Sequence, residues 1–191
     1  MKNISPKRHQ GFTLVELIAV ILIMGILSAT ALPRFMDFGS DARKASLKSI
    51  AQTMKSTAGV LELQIMKDGY DKRSSQGAAI DYPYNGKNIY IVGGNVHTYW
   101  TSTWEHLLDI SVSELDIKGV RNVRCDITDA DYCVVSSGTS YRNAADNNSL
   151  AMYIIPPGYT AEANDQGNCF IEYKLSNNDQ NYSVNVVDEN C

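Results

Sequence analysis

The chain has 191 residues, which is enough for one domain with a hydrophobic core of its own. Its 17 basic and 21 acidic side chains give a net charge of −4, and this balance excludes a nucleic-acid-binding protein of the usual basic kind. Four cysteines in a chain of this size are typical of an exported domain with disulfides.

The first eleven residues form a short basic leader. Lys2, Lys7 and Arg8 lie in this segment, which contains no acid. Positively charged flanks stay on the cytoplasmic side of a membrane, so we expect the N-terminus inside and the rest of the chain outside. Without the leader the chain holds 14 basic and 21 acidic side chains, which is a net charge of −7.

An apolar run follows the leader, from residue 12 to residue 32. About 20 residues that rise about 1.5 Å each cover a hydrocarbon core about 30 Å thick. The run therefore predicts a membrane-spanning helix. Its only polar side chains are Thr13, Glu16, Ser28 and Thr30.

Glu16 is the single acid in this run, and an unpaired carboxylate there costs on the order of 3 kcal/mol. Acids inside a membrane span indicate a functional partner. Cleavage after Gly11 would keep the apolar helix and create an α-amine on Phe12, four residues from Glu16. The alternative is an ordinary secretory signal cut near residues 29–31, which would discard the whole run.

The helix is predicted to continue to about residue 68, with Gly69 as its stop. Gly25 and Pro33 interrupt it and predict either a simple kink or a segment that unwinds when helices pack in an assembly. The second half has one apolar face, which needs a cover, and a sheet is the natural candidate. The apolar residues of this face recur at spacings of three and four. They are Leu47, Ile50, Ala51, Met54, Ala58, Leu61 and Ile65.

Beyond the helix the pattern predicts an antiparallel sheet. We expect a loop at residues 70–87, then a hairpin with strands 88–92 and 96–100, then helical turns within residues 103–117. The fold class is predicted to be α+β, with the long N-terminal helix packed on a C-terminal antiparallel sheet. Short β-rich runs complete the sheet at residues 132–136, 150–155, 170–175 and 182–187.

The four cysteines allow three disulfide connectivities, of which we favour the two sequential pairs. Cys125 would then pair with Cys133, and Cys169 with Cys191. Chain entropy predicts stabilisation of about 2.6 kcal/mol for the first pair and about 3.4 kcal/mol for the second. Zinc is the competing interpretation, but the spacings do not match a zinc site and no histidines cluster nearby, so we predict no metal there.

Three acids beside the first cysteine pair, Asp126, Asp129 and Asp131, resemble the start of a carboxylate cage for calcium. Their spacing is not that of the EF-hand loop, so solvated acids are the alternative that we favour. His97 and His106 have no nucleophile pattern around them, and the chain has no P-loop or G-x-S-x-G elbow. We therefore expect neither an enzyme nor a bound cofactor.

Trp100 and Trp104 are aromatic residues with two possible roles. Exposed aromatics often mark binding surfaces, so both could be adhesive anchors. At this spacing they are more often part of a hydrophobic core, and the core is our prediction.

Residues 10–17 read Gln-Gly-Phe-Thr-Leu-Val-Glu-Leu and resemble the cleavage and methylation motif of type IV pilins and pseudopilins. The resemblance extends through Gly25 and Pro33, where such pilins break their N-terminal helix. It implies that a prepilin peptidase cuts between Gly11 and Phe12 and methylates the new amine. It also implies the type IV pilin fold and a helical homo-oligomeric filament, built by an inner-membrane pilus assembly machinery.

The C-terminal part is similar to mannose-sensitive haemagglutinin (MSHA) pilins. The similarity rests on Asp-Tyr-Cys at residues 131–133, on Asn-Cys-Phe-Ile-Glu-Tyr at residues 168–173, and on Cys191. It implies that residues 169–191 form an exposed region used in subunit contacts and surface recognition. The filament would then attach to surfaces or to host glycans, and the sequence does not specify the ligand.

The resemblance also supplies a partner for Glu16. An amine and a carboxylate about 4 Å apart gain on the order of 4 kcal/mol at an effective dielectric constant near 20, which is close to the cost of insertion. The Phe12 amine of a neighbouring subunit would pair with Glu16, select incoming subunits and set their stagger. The same two groups could instead pair within one subunit.

Three segments are therefore expected: a leader at residues 1–11, a transmembrane and filament-core helix at residues 12–35, and a periplasmic or extracellular globular domain at residues 36–191. The precursor would lie in the inner membrane and the mature chain in a surface pilus for adhesion, with motility or biofilm formation as further roles. The alternatives are a minor pilin, a pseudopilin of type II secretion, and a membrane-anchored periplasmic binding module that does not polymerise.

Overall fold

The computed structural model describes residues 12–70, 79–115, 124–126, 129–136, 149–161, 167–176 and 181–191, without the side chains of residues 31–37 and 149. The chain divides into two units, Met1–Ala42 and Arg43–Cys191. A 54-residue helix, α1, comes first, at Leu14–Lys67. The strands are β1 Ile80–Tyr84, β2 Lys87–Val92, β3 Asn95–Val96, β4 Val112–Glu114, β5 Tyr132–Ser136, β6 Ser149–Ile155, β7 Phe170–Ser176 and β8 Tyr182–Val187.

The predicted long helix is confirmed, and its end is closed by backbone hydrogen bonds. Gly69 adopts a φ of 72°, and its N–H donates to the Met66 carbonyl at 3.1 Å, while the Tyr70 N–H donates to Ile65 at 3.0 Å. This pair of bonds is a Schellman motif, which satisfies carbonyls that a helix end otherwise leaves unpaired. Only glycine takes this backbone conformation without a steric cost, so Gly69 ends the helix as predicted.

Within the N-terminal unit, residues 14–30 are helical and expose apolar side chains along their whole length. The helix continues through both Gly25 and Pro33. Among the residues that the structure describes, none of the helices is both long and apolar enough to cross a membrane.

In the unit Arg43–Cys191, one face of α1 is buried, because its apolar residues recur every three or four positions. Ile50 is partly buried beside this face. The predicted stripe is therefore confirmed as part of the main core, which also contains Trp100, Trp104 and Tyr173. The fully covered members are Leu47, Ala51, Met54, Ala58, Leu61 and Ile65.

A three-stranded antiparallel sheet, in the order β1-β2-β3, follows the helix. The predicted hairpin at Gly93 and Gly94 is present, but its second strand has only two residues. The loop predicted at residues 70–87 is wrong at its end, because β1 and its turn lie there. Asn85 and Gly86 take φ values of 48° and 78° between β1 and β2, and Asn-Gly is a common hairpin turn that the prediction missed.

The second sheet has five strands in the order β4-β5-β6-β7-β8. The four predicted β-rich runs are confirmed as β5 to β8, and their neighbours pair antiparallel. Of the short helix or helical turns predicted within residues 103–117, the described residues 103–115 contain a single 3₁₀ turn, at Trp104–His106. The prediction is wrong at Val112–Glu114, where β4 pairs parallel to β5. A parallel partner is non-local, so local periodicity did not predict it.

The central strand of the five-stranded sheet, β6, is buried on both faces. Alternate residues of β6 face two different clusters, with Met152 and Ile154 in the main core and Ala151, Tyr153 and Ile155 in a second one. This arrangement explains why β6 reads as a continuous apolar run rather than an alternating one. The second cluster comprises Cys125, Cys133, Val135, Ala151, Tyr153, Ile155 and Phe170.

Tyr173 connects the two sheets. Its hydroxyl is fully buried and donates to the Val96 carbonyl at 2.7 Å, and its ring packs edge-on against Trp104. The neighbouring Tyr182 stacks on Tyr173, but its own hydroxyl bond, to the Lys55 carbonyl, is longer at 3.3 Å and exposed. The two tyrosines therefore allow a comparison of one buried and one exposed hydrogen bond, each from a hydroxyl to a main-chain carbonyl.

We expect Tyr173→Phe to lower the free energy of unfolding by about 1–3 kcal/mol, because it leaves the buried Val96 carbonyl without its donor. Tyr182→Phe is the control and should cost less than about 1 kcal/mol. Both losses in the free energy of unfolding can be measured by urea unfolding of the full chain in detergent, with tryptophan fluorescence as the signal. Equal costs for the two variants would contradict a special role for the buried bond.

His97 is a buried titratable residue of this core. Its ring stacks on Tyr99 with the centroids 4.1 Å apart, and its Nδ1 accepts the Tyr99 N–H at 3.3 Å. Burial lowers the pKa of His97 to about 4. The side chain is therefore neutral in the folded protein near pH 7.

Between pH values of about 6.5 and about 4, the unfolded chain binds a proton at residue 97 that the folded chain excludes. We therefore expect this group to reduce the free energy of unfolding by up to about 1.4 kcal/mol per pH unit as the pH falls through that window. His97→Asn keeps an acceptor near the Nδ1 position and removes the titration. Urea unfolding of both proteins at several pH values tests this, and parallel pH curves would contradict it.

Candidate assembly site

The start of α1 is closed by a reciprocal pair of side-chain bonds. The Glu16 carboxylate accepts the Thr13 backbone N–H at 2.9 Å and the Thr13 hydroxyl at 3.0 Å, both through Oε2. The Thr13 hydroxyl in turn accepts the Glu16 N–H at 3.3 Å. This is a capping box, which satisfies backbone donors that a helix start otherwise leaves unpaired. Glu16 is therefore held at the helix start by its own chain.

Sequence reasoning identified Glu16 but missed Thr13. The signal was present, since Thr-Leu-Val-Glu at residues 13–16 is the S/T-x-x-E pattern that precedes an apolar run. Phe12 lies directly before the box with 94% of its surface exposed. Gly11 lies outside the described residues, so cleavage after it stays a prediction, as do methylation of Phe12 and pairing between Phe12 and Glu16.

The helix beyond the capping box exposes large apolar side chains in all directions. An exposed apolar surface of this extent marks contact with other protein or with lipid. The hydroxyls of Ser28 and Thr30 turn back to the helix and donate to the carbonyls of Met24 at 2.7 Å and Leu27 at 2.9 Å. The exposed residues are Leu14, Val15, Leu17, Ile18, Val20, Ile21, Leu22, Ile23, Met24, Ile26 and Leu27.

Gly25 and Pro33 both lie within the assigned helix, so neither ends it in this conformation. A Cβ placed on Gly25 would have no atom within 4 Å. The choice between a simple kink and unwinding in an assembly therefore stays a prediction. The Pro33 side chain is outside the described part of the chain.

The structure pairs Cys125 with Cys133 and Cys169 with Cys191, which are the two sequential pairs. The second bond encloses β7 and β8 rather than one exposed loop. In β7 most residues are buried, whereas β8 is a partly exposed edge strand. Among the described residues of this range, 169–176 and 181–191, the exposed ones all follow β7.

The three acids considered for calcium do not gather into a metal site. Asp126 forms an ion pair with Arg124 at 2.8 Å. Within the described ranges, no group of three or more His, Cys, Asp or Glu side chains has the geometry to hold a metal ion. Trp100 and Trp104 are buried, in line with the predicted core role.

Comparison with known proteins concerns the N-terminal segment described above. Residues 6–32 match the family described as "Prokaryotic N-terminal methylation motif". The chain is 42% identical over 57 residues to the type IV narrow pilus major component PilA5 of Thermus thermophilus, which covers 30% of this chain and 49% of that protein.

It is also 36% identical over 82 residues to the type IV major pilin protein PilE of Neisseria gonorrhoeae, which covers 42% of this chain and 48% of the relative. A fimbrial protein of Neisseria meningitidis serogroup B is 45% identical over 48 residues, covering 25% of this chain and 28% of that protein. The chain spans about half the length, or less, of these curated relatives. No solved structure matches it. The chain therefore carries the prokaryotic N-terminal methylation motif, and its N-terminal part is similar to type IV pilins.

Proposed function

We propose that this chain is the structural subunit of a type IV pilus, cleaved after Gly11, methylated on Phe12 and polymerised through its N-terminal helix. The observation that carries the proposal is a helix that exposes apolar side chains on every side and has one acid, Glu16, bonded to Thr13 at its start. Such a helix needs an apolar environment, which is lipid before assembly and other copies of the helix afterwards. The named pilin relatives support the same role.

The precursor is proposed to lie in the inner membrane, with the basic leader at residues 1–11 in the cytoplasm and residues 36–191 outside. Residues 12–35 would anchor it there and later form the filament core. The positively charged leader supports this orientation. A prepilin peptidase and the membrane-bound pilus assembly machinery are the expected partners.

Glu16 is proposed to pair with the methylated Phe12 amine of a neighbouring subunit. Thr13 supports this role because it holds the carboxylate at the helix start through Oε2 alone. A carboxylate has two oxygens, so Oε1 can still accept a bond from an incoming amine. Attraction on the order of 4 kcal/mol is comparable with the cost of placing the acid in an apolar surrounding.

A second exposed patch lies on α1 in the unit Arg43–Cys191. Val60, Leu63 and Met66 expose 49–69% of their surface on the part of the helix that the sheet leaves uncovered. Packing of this patch against another subunit would extend the contact made by the N-terminal helix. Full burial of an exposed side chain of this size contributes about 1.5–3 kcal/mol, and covering the roughly half that these three still expose contributes a corresponding fraction.

Adhesion is the proposed role of the filament, with motility or biofilm formation as further roles. Similarity to MSHA pilins supports a surface or host glycan as the ligand. Residues 169–191 would provide the recognition surface, in particular the exposed residues of β8, Ser183 and Asn185.

The test of the proposal is to shear filaments from cells and to measure the intact mass of the subunit. We expect abundant fibres whose subunit begins at Phe12, carries one methyl group and contains two disulfides. A chain found only in trace amounts in fibres would indicate a minor pilin. A soluble chain that begins at Leu32, or a chain absent from fibres, would contradict the proposal.

Two substitutions of Glu16 separate its charge from its capping role. Glu16→Gln keeps side-chain bonds to Thr13, because glutamine also completes a capping box, but it removes the charge. Glu16→Ala removes both. If the charge pairs subunits, we expect both variants to be cleaved and inserted normally. Their fibre yield should fall at least about tenfold, because a loss of about 1.4 kcal/mol in subunit attraction lowers an association constant tenfold. Normal fibres from Glu16→Gln would show that capping, rather than charge pairing, is the role of this residue.

A further inference from the structure

Residues 188–191 are held in place by more than their disulfide. The Arg43 guanidinium donates to the main-chain oxygen of Cys191 from Nε at 3.2 Å and from Nη2 at 3.0 Å. The Tyr159 hydroxyl donates to the same oxygen at 3.0 Å. Three donors from two distant parts of the chain therefore converge on the residue that bonds to Cys169.

The two donor side chains also contact each other. The guanidinium carbon of Arg43 lies 5.5 Å from the centroid of the Tyr159 ring, which is cation–π geometry. The bonds from Arg43 to Cys191 are partly buried, so solvent screens them less than it would at an exposed surface. Arg43 and Tyr159 therefore keep each other aimed at the main-chain oxygen of Cys191.

Residues next to both cysteines carry further contacts. The Asn190 side-chain amide donates to the Asn168 side-chain oxygen at 2.6 Å, one residue before each cysteine of the pair. Asp188 forms an ion pair with Lys48 at 2.7 Å, and this contact lowers the pKa of the Asp188 carboxyl. Lys48 is mostly exposed, so this pair contributes less than the Arg43 contacts do.

We propose that Arg43, Tyr159, Asn168 and Asn190 form a non-covalent clamp that brings the Cys191 thiol to Cys169 before the bond exists, and so directs the pairing of these two cysteines. The clamp consists of four hydrogen bonds, three to the main-chain oxygen of Cys191 and one between Asn190 and Asn168. None of these bonds requires the disulfide, so they can form in the reduced chain. Any contact that stabilises the native arrangement of two thiols raises their effective concentration by the same factor. The clamp thereby disfavours the two connectivities that would join either cysteine to Cys125 or Cys133.

The chemical step is thiol–disulfide exchange with a small-molecule or protein disulfide. The two thiols lose two electrons and two protons as the Sγ–Sγ bond forms. The partner disulfide takes them up and is reduced to two thiols. The clamp supplies position alone and takes no part in the transfer.

The experiment measures the effective concentration of each cysteine pair in the full chain in detergent, equilibrated with reduced and oxidised glutathione. Free thiols are alkylated and the two pairs are quantified by peptide mass spectrometry. We expect Arg43→Gln to lower the effective concentration of the Cys169–Cys191 pair by about tenfold or more, because the substitution removes the charged donor from both bonds to Cys191. The Cys125–Cys133 pair in the same molecules serves as an internal control and should change less than about twofold.

Two further variants sharpen the result. Tyr159→Phe keeps the ring under Arg43 and removes only the hydroxyl bond, so we expect a fall of about threefold to tenfold at the same pair alone. Arg124→Gln removes an arginine beside Cys125 that pairs with exposed Asp126, and it should leave residues 169 and 191 unaffected. An equal fall for both cysteine pairs in Arg43→Gln, or no fall at all, would overturn the proposal.

Discussion

The unit Arg43–Cys191 depends on one stripe of α1. Six side chains between Leu47 and Ile65 are almost fully buried, and they are spaced so that one helix face presents all of them to the sheet. Burial of apolar side chains of this size is the dominant favourable contribution to folding. Arg43 precedes the stripe on the helix and Asp68 follows it. Arg43 donates to Cys191, 148 residues away, and Asp68 accepts a bond from Tyr82, 14 residues away.

The same helix meets a different requirement at its start. There the apolar side chains are exposed all round, and the polar groups are satisfied by local bonds. Glu16 and Thr13 cap each other, and Ser28 and Thr30 bond to the preceding turn of the helix. A segment whose polar groups are satisfied within the chain can enter an apolar environment at low cost. The exposed apolar side chains and the locally bonded polar groups therefore both suit this segment to burial in an apolar environment.

Sequence patterns predicted the long helix, its stop at Gly69, the buried stripe and strands β5 to β8, because each of these depends on spacings of a few residues. They failed at β1, where Pro83 and polar neighbours concealed a strand, and at β4, where the partner strand is parallel and comes 18 residues later. The Thr13 cap was predictable from its four-residue pattern. The bonds between Thr13 and Glu16 could thus be predicted from residue types, whereas pairing of Glu16 with a neighbouring subunit stays a prediction.

The sequence by itself determined where the chain is apolar on all sides, where it is apolar on one side, and which short segment carries the motif of the N-terminus. Those features are local, since they depend only on residues that one or two helical turns bring together. Tertiary structure alone decided that Tyr173 donates to Val96 across 77 residues and that Arg43 donates to Cys191 across 148 residues. No local period encodes contacts at such separations, because they exist only after the sheet has packed on the helix.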